Sequence, residues 1–126
     1  MPYMGFLAVG VGAMLGAWIR WGLGAWLNLV LPNLPLGTLA ANLAGGYLIG
    51  VAVEFFSQHA HLPVEYRLLV ITGFMGGLTT FSSFSAEAAG LLSAARYGWV
   101  AMLLITHVVG SILLTILGIL TMRALS

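Results

Sequence analysis

The sequence predicts an all-α integral membrane protein with four transmembrane helices and a break in the third helix. The chain is 61% hydrophobic and only 6% charged over 126 residues, whereas soluble domains carry roughly 25% charged residues. Its mean hydropathy is +1.09. A membrane-spanning helix needs about 20 residues, so a chain of this length has room for four spans and hardly for five. The predicted solvent is therefore the lipid bilayer.

The rare charged and polar residues and the prolines set the boundaries of the first two spans. The first span is predicted over 4–29, with Arg20 as its one internal charge. The turn signal Pro32-Asn33-Leu34-Pro35 ends it, and the second span follows over 36–56. The polar stretch 57–63 is then the one plainly polar loop.

The third span is predicted over 66–95 and the fourth over 97–122. The middle of the third contains paired glycines and consecutive hydroxyl residues, 73–85, which are poor helix formers. We therefore expect a break there. Irregular backbone at membrane depth persists only where it is buried in protein or lines a watery path, so this segment is a candidate for function.

Composition excludes several classes of protein. Four basic against three acidic residues give a net charge of +1, which is far from the basic balance of a nucleic-acid binder, so no nucleic-acid partner is expected. The absence of cysteine excludes disulfides, thiol nucleophiles and cysteine-based metal sites. No nucleophile, base and orienting acid converge in the sequence, so an enzyme is the least favoured class.

Polar residues recur at helical spacing within three of the spans. Polar groups at bilayer depth usually face the interior of a bundle, and residues four apart share a helix face. The stripes are Thr38, Asn42, Gly46 and Gly50 in the second span, the hydroxyl cluster Thr79, Thr80, Ser82, Ser83 and Ser85 in the third, and His107, Ser111 and Thr115 in the fourth. A single hydroxyl within a span ordinarily forms a hydrogen bond that holds two helices together. Three such stripes together indicate a conduit rich in hydrogen-bond donors.

Such a conduit suits a small anion. Hydroxyls and an amide can donate to an anion without a fixed cation that would trap it, and conduction needs binding weak enough to leave. Phe81 and Phe84 could present the positive edges of their rings beside the break, although ordinary packing is an open alternative. Arg20 and Glu87 are the two charges deepest in the spans, and each is either a vestibule group or half of a structural ion pair.

Two further patterns favour association of chains. The arginines divide evenly between the two sides of a four-span topology, so the positive-inside rule gives no orientation, and insertion both ways would allow an antiparallel dimer. The spacings Gly12-x-x-x-Gly16, Gly46-x-x-x-Gly50 and Gly73-x-x-x-Gly77 allow close approach of helices.

Three motifs together resemble the Fluc (CrcB) family of fluoride ion channels. They are the segments 16–21 (GAWIRW), 37–45 (GTLAANLAG) and, above all, 73–84 (GFMGGLTTFSSF). The likeness covers essentially the whole chain, including its length, the four spans and the break in the third.

The resemblance implies a dual-topology antiparallel homodimer in the bacterial inner membrane that passes fluoride passively and so gives fluoride resistance. It implies a pore lined by Asn42, by the ring edges of Phe81 and Phe84, and by the polar side chains of Thr38, Thr80, Ser82, Ser83, His107 and Ser111. It also implies a structural sodium ion at the dimer centre, bound by the backbone carbonyls of Gly76 and Thr79.

The alternative is a small proton-coupled multidrug exporter, which shares the length and the four spans. Such an exporter should carry a membrane-embedded glutamate in its first span. The first span here contains Arg20 and no acid, and Glu87 lies near the end of the third, so the channel is favoured.

Overall fold

The protein is all-helical in its computed structural model, which describes residues 2–126. Four segments are long and apolar enough to cross a bilayer: Pro2–Leu27, Leu36–Gln58, Val64–Ser93 and Tyr97–Leu125. This confirms the predicted all-α, four-helix membrane fold. We number the helices as α1 (Pro2–Leu27), α2 (Leu36–Gln58), α3 (Val64–Arg67, the wider π-helical turns Leu68–Met75, and Gly76–Leu78), α4 (Phe81–Ser93) and α5 (Tyr97–Leu104, the π-helical turn Ile105–Val109, and Gly110–Leu125).

Two extended residues separate α3 from α4 within the third segment. Thr79 has φ −90° and ψ 156°, and Thr80 has φ −147° and ψ 121°. Threonine is a good N-cap because its hydroxyl can accept from a free backbone N–H in the first turn. Here the Thr80 Oγ1 accepts from the Ser83 N–H at 3.0 Å. Helix α4 therefore begins directly after the two extended residues, and its N-terminus is capped by Thr80.

Helix α1 packs against α3 through two glycine pairs that face each other. A Cβ at Gly12 would lie 2.7 Å from the Phe74 nitrogen, and a Cβ at Gly73 would lie 2.7 Å from the Val9 oxygen. A Cβ at Gly16 would meet the Phe74 oxygen, and one at Gly77 the Ala13 oxygen. The two backbones touch because none of these positions carries a side chain.

The third glycine pair packs α2 against α5. A Cβ at Gly46 would lie 3.0 Å from the Ser111 oxygen, and one at Gly50 would lie 3.0 Å from the Ile119 nitrogen. The Thr115 hydroxyl also donates to the Gly46 oxygen at 2.8 Å. All three glycine spacings therefore serve contacts within one chain, and association between chains stays a prediction that these contacts do not test.

The turn between α1 and α2 is tied to the helix that follows it. Pro35 precedes α2 and gives no side-chain cap, so the first N–H groups of α2 need another acceptor. The Asn28 Oδ1 accepts from the Thr38 N–H at 3.1 Å. Beside this turn, Leu34, Phe84 and Leu103 form a buried cluster, which fixes α4 and α5 against the start of α2.

Candidate functional site

A groove of about 520 Å³ runs between α2, α3, α4 and α5. It collects six of the residues predicted to form a pore and both residues predicted to bind sodium. The pore residues are Asn42, Thr80, Phe81, Phe84, His107 and Ser111, and the other two are Gly76 and Thr79. Residues from 42 to 111 thus meet in one place, although they come from all four helices around it.

Asn42 lies at the centre of the hydrogen bonds in this groove. Its Oδ1 accepts from the Thr80 N–H at 2.8 Å, and its Nδ2 donates to the Thr80 oxygen at 3.0 Å. The same Nδ2 lies 3.0 Å from the His107 Nδ1. The Asn42 Oδ1 thus replaces the helical acceptor that the Thr80 N–H has lost, and the side chain links α2 to the start of α4 and to α5.

Three rings form a continuous aromatic row along the groove. The Phe81 and Phe84 centroids are 5.5 Å apart at 59°, and those of Phe84 and His107 are 4.9 Å apart at 37°. Phe84 is 7% exposed, whereas Phe81 is 77% exposed. One phenylalanine is therefore part of the core, and the other stands free on the surface of a single chain.

His107 is buried, with 4% of its surface exposed. Its Nδ1 faces Asn42, but its Nε2 has no hydrogen-bond partner among residues 2–126. An unpaired polar nitrogen in such a place costs about 1–3 kcal/mol. The Nε2 of His107 is therefore an unsatisfied polar atom among the residues that line the groove.

Several of the predicted donor hydroxyls are bonded to their own helix. The Thr79 Oγ1 donates to the Met75 oxygen at 2.9 Å, and the Thr115 Oγ1 contacts the Ser111 oxygen at 2.9 Å as well as that of Gly46. The Ser111 Oγ donates to the Val108 oxygen at 3.2 Å. A hydroxyl has a single proton, so these groups present lone pairs rather than donors to the groove.

Other predicted site residues lie outside the groove lining. Thr38 is buried, and its side chain lies near that of Glu87. One carboxylate oxygen of Glu87, Oε1, has no partner within the described part of the chain. Ser82 is exposed and its hydroxyl lies 3.2 Å from that of Thr80, while the Ser83 N–H donates to the Thr80 hydroxyl that caps α4. The structure thus places Thr38 and Glu87 in a second polar cluster on the α2 and α4 helices.

Arg20 has a defined partner at the end of α3. Its Nε donates to the Gly77 oxygen at 3.0 Å. The last carbonyls of a helix have no partner of their own and carry the negative end of the helix dipole. The guanidinium therefore holds the C-terminus of α3 from α1, 57 positions away along the chain.

Sequence reasoning missed two contributions to this region. Asn28 accepts a hydrogen bond from the first turn of α2. This role could have been predicted, because the proline before α2 cannot cap the helix with its side chain and the amide of Asn28 lies close before it in the sequence. The apolar wall of the groove, formed by Ile49, Ile71, Met75, Val108 and Ile112, carries no signal that separates it from residues facing lipid.

Comparison with known proteins shows the family to which the chain belongs. Residues 7–119 match the family model described as CrcB-like protein, Camphor Resistance (CrcB). A protein of Cupriavidus taiwanensis, named fluoride-specific ion channel FluC, is 61% identical over the full length of both chains. Proteins of the same name from Ralstonia pickettii and Pseudomonas paraeruginosa are 60% identical over 100% of both chains and 56% identical over 93% and 92% of this chain and of the relative, respectively. The resemblance is confirmed, and the chain belongs to the CrcB family.

Proposed function

We propose that this protein is a passive, fluoride-selective ion channel of the bacterial inner membrane that exports cytoplasmic fluoride and so gives fluoride resistance. The observation that carries the proposal is the chemistry of the groove. Its lining combines an amide, an imidazole, hydroxyls and two phenylalanine rings, and it includes no arginine, aspartate or glutamate. The relatives named fluoride-specific channels support the choice of fluoride.

A groove without fixed charge favours passage over retention of an anion. The positive edges of Phe81 and Phe84 attract an anion, but none of the described residues in the lining is a cation that would hold it tightly. The driving force is the membrane potential, worth about 2.3 kcal/mol per 100 mV for one charge. Fluoride that entered as neutral hydrogen fluoride and dissociated inside would therefore leave without ATP or a coupled proton.

The extended pair at Thr79 and Thr80 forms the break in the membrane-spanning segment. Extended backbone at membrane depth is tolerated only where its polar groups find partners. Asn42 supplies them for Thr80, and Arg20 supplies one for Gly77. We therefore assign the break to the pore, with Asn42, Thr80, Phe81, Phe84, His107 and Ser111 along the fluoride path and Thr38, Ser82 and Ser83 close to it.

The working unit is an antiparallel homodimer. A single chain leaves the groove open on one side and leaves 77% of Phe81 exposed beside it, so a second copy is needed to close the path. The even distribution of arginines allows both orientations. Arg96 and Asn33, which a four-span topology puts on the same side, are hydrogen-bonded at 3.2 Å.

A structural sodium ion at the dimer centre fits the carbonyls of Gly76 and Thr79. In a continuous helix the Gly76 oxygen would accept from the Thr80 N–H, and the Thr79 oxygen from the Ser83 N–H. Here the Thr80 N–H donates to Asn42 and the Ser83 N–H donates to the Thr80 hydroxyl. Both carbonyls are thus free of their usual donors, and carbonyl oxygens are suitable ligands for a hard cation.

The exporter alternative is not proposed for this protein. A proton-coupled exporter of four spans needs an acid within its first span, and α1 contains none. The acid on α4, Glu87, lies near Thr38 and outside the lining of the groove.

Efflux from liposomes tests the proposed function. Purified protein in vesicles loaded with potassium fluoride is expected to release fluoride to an external electrode once a potassium ionophore is added, while vesicles loaded with chloride retain it. Phe81→Ile is expected to slow release at least tenfold because it removes a ring edge from the path. Phe6→Ile is the matched control, since Phe6 is similarly exposed, at 78%, but lies outside the groove. Equal release of both anions, or release of neither, would contradict the channel.

A topology reporter tests the dual orientation. A reporter fused after Ser126 is expected on both sides of the membrane in similar amounts. Arg96→Gln removes a positive charge from the side opposite Arg67 and Arg123, so it is expected to move the C-terminus toward the cytoplasm. A reporter found on one side only in the unaltered protein would rule out an antiparallel dimer.

A further inference from the structure

The contacts of Asn42 determine which nitrogen of His107 carries the proton. The Thr80 N–H can only donate, so the Asn42 atom that receives it must be Oδ1. The other end of the amide is then Nδ2, whose two protons point to the Thr80 oxygen and to the His107 Nδ1. Since Nδ2 has no lone pair to offer, the His107 Nδ1 must be the acceptor.

A neutral imidazole that accepts at Nδ1 carries its proton at Nε2. In His107 this Nε2 is buried and has no partner within residues 2–126, and the ring lies 4.9 Å from that of Phe84. Asn42 has meanwhile used both of its amide protons within the chain. The free N–H at this level of the groove therefore belongs to His107 and not to Asn42.

We propose that Asn42 is a positioning residue that acts through His107: it holds the imidazole as the Nε2–H tautomer, so that His107 presents the unpaired donor that fluoride accepts beside Phe84. This rests on the proposed function for the identity of the anion, but the tautomer itself does not depend on transport. The buried N–H recovers its lost hydrogen bond only when an acceptor arrives, and this favours entry of the anion. The Nε2 atom is covered in the lone chain, so the atoms around it must move to admit the anion.

His59 offers an internal contrast. Its Nδ1 lies 2.8 Å from the Phe55 oxygen, and a carbonyl oxygen can only accept. His59 must therefore carry its proton on Nδ1, whereas His107 carries it on Nε2. The two histidines are expected to show opposite tautomers in the same sample.

The test is nitrogen NMR of the full-length protein in lipid vesicles, labelled with ¹⁵N at the histidine rings, at a pH of about 8, above the ordinary histidine value of about 6.5. His107→Gln removes one pair of signals and so assigns it. We expect His107 to show a bare Nδ1 and a protonated Nε2, and His59 to show the reverse. A proton on the His107 Nδ1 would overturn the proposal.

Asn42→Asp separates a positioning role from a merely structural one. A carboxylate beside Nδ1 can only accept, so the His107 proton is expected to appear on Nδ1 while the His59 signals stay unchanged. An unaltered His107 pattern in a folded Asn42→Asp protein would show that Asn42 does not set the tautomer.

Titration with sodium fluoride tests the anion itself, with sodium chloride as the control. The His107 Nε2–H signal of the unaltered protein is expected to shift with fluoride and not with chloride at the same concentration. A correct tautomer without a fluoride-dependent shift would overturn the donor role alone. Failure of the liposome efflux would instead contradict the proposed function and would leave the tautomer result standing.

Discussion

Asn42→Asp is expected to abolish fluoride flux in a protein that is still folded. The carboxylate can accept from the Thr80 N–H, but it faces the Thr80 oxygen and the His107 nitrogen without a proton to donate. It also places a negative charge in the proposed path of the anion. Two like charges about 4 Å apart repel by about 4 kcal/mol at an effective dielectric constant near 20, which corresponds to roughly a thousandfold loss of occupancy.

The measurement is the initial rate of fluoride release from loaded liposomes, with size-exclusion profile and helical content as checks of folding. Asn33→Asp is a matched control: it makes the same chemical change at an amide that bonds Arg96 outside the groove, and it is expected to conduct normally. Normal conduction by Asn42→Asp would show that Asn42 does not lie on the fluoride path.

Gly12→Ala is expected to separate α1 from α3 and to reduce folded protein sharply, although it adds a single methyl group. The new Cβ would lie 2.7 Å from the Phe74 nitrogen and closer still to the Leu69 oxygen. Both neighbours are backbone atoms, so no side chain can rotate away. Overpacking of this kind costs about 1–3 kcal/mol even where the surroundings can adjust, and a rigid helix pair can adjust less.

Gly10→Ala is the control for this substitution, because it lies on the same helix and a Cβ there meets nothing within 4 Å. It is expected to keep or slightly raise stability, since alanine is favoured over glycine in a helix by roughly 1 kcal/mol. Thermal unfolding in detergent, followed by helical circular dichroism, compares the two variants. Equal midpoints for Gly10→Ala and Gly12→Ala would show that α1 and α3 do not meet at these glycines.

Local sequence patterns predicted those parts of the molecule that depend on neighbouring residues. The four membrane-spanning helices follow from apolar length. The hydroxyl bonds of Thr79 and Thr115 to carbonyls four residues earlier are local as well. Threonine hydroxyls in helices often donate to the carbonyl four residues earlier, so these bonds could have been predicted. That prediction would have removed two donors from the expected conduit.

Local sequence patterns could not predict the contacts between residues that are distant along the chain. Nothing along the chain indicates that Gly12 and Gly16 face Gly73 and Gly77, because a glycine spacing does not name its partner. In the same way, the sequence does not indicate that the guanidinium of Arg20 donates to the Gly77 oxygen at the end of α3.

The sequence by itself thus determined the solvent of this protein, its number of spans and the set of polar residues available for a path. Only the tertiary structure decided how Asn42 is used, since its three contacts come from residues 38 and 65 positions away. The physical reason is that hydropathy and helix propensity act over one or two turns, whereas a hydrogen bond in a membrane protein is made to whichever buried group the packing of helices brings within about 3 Å.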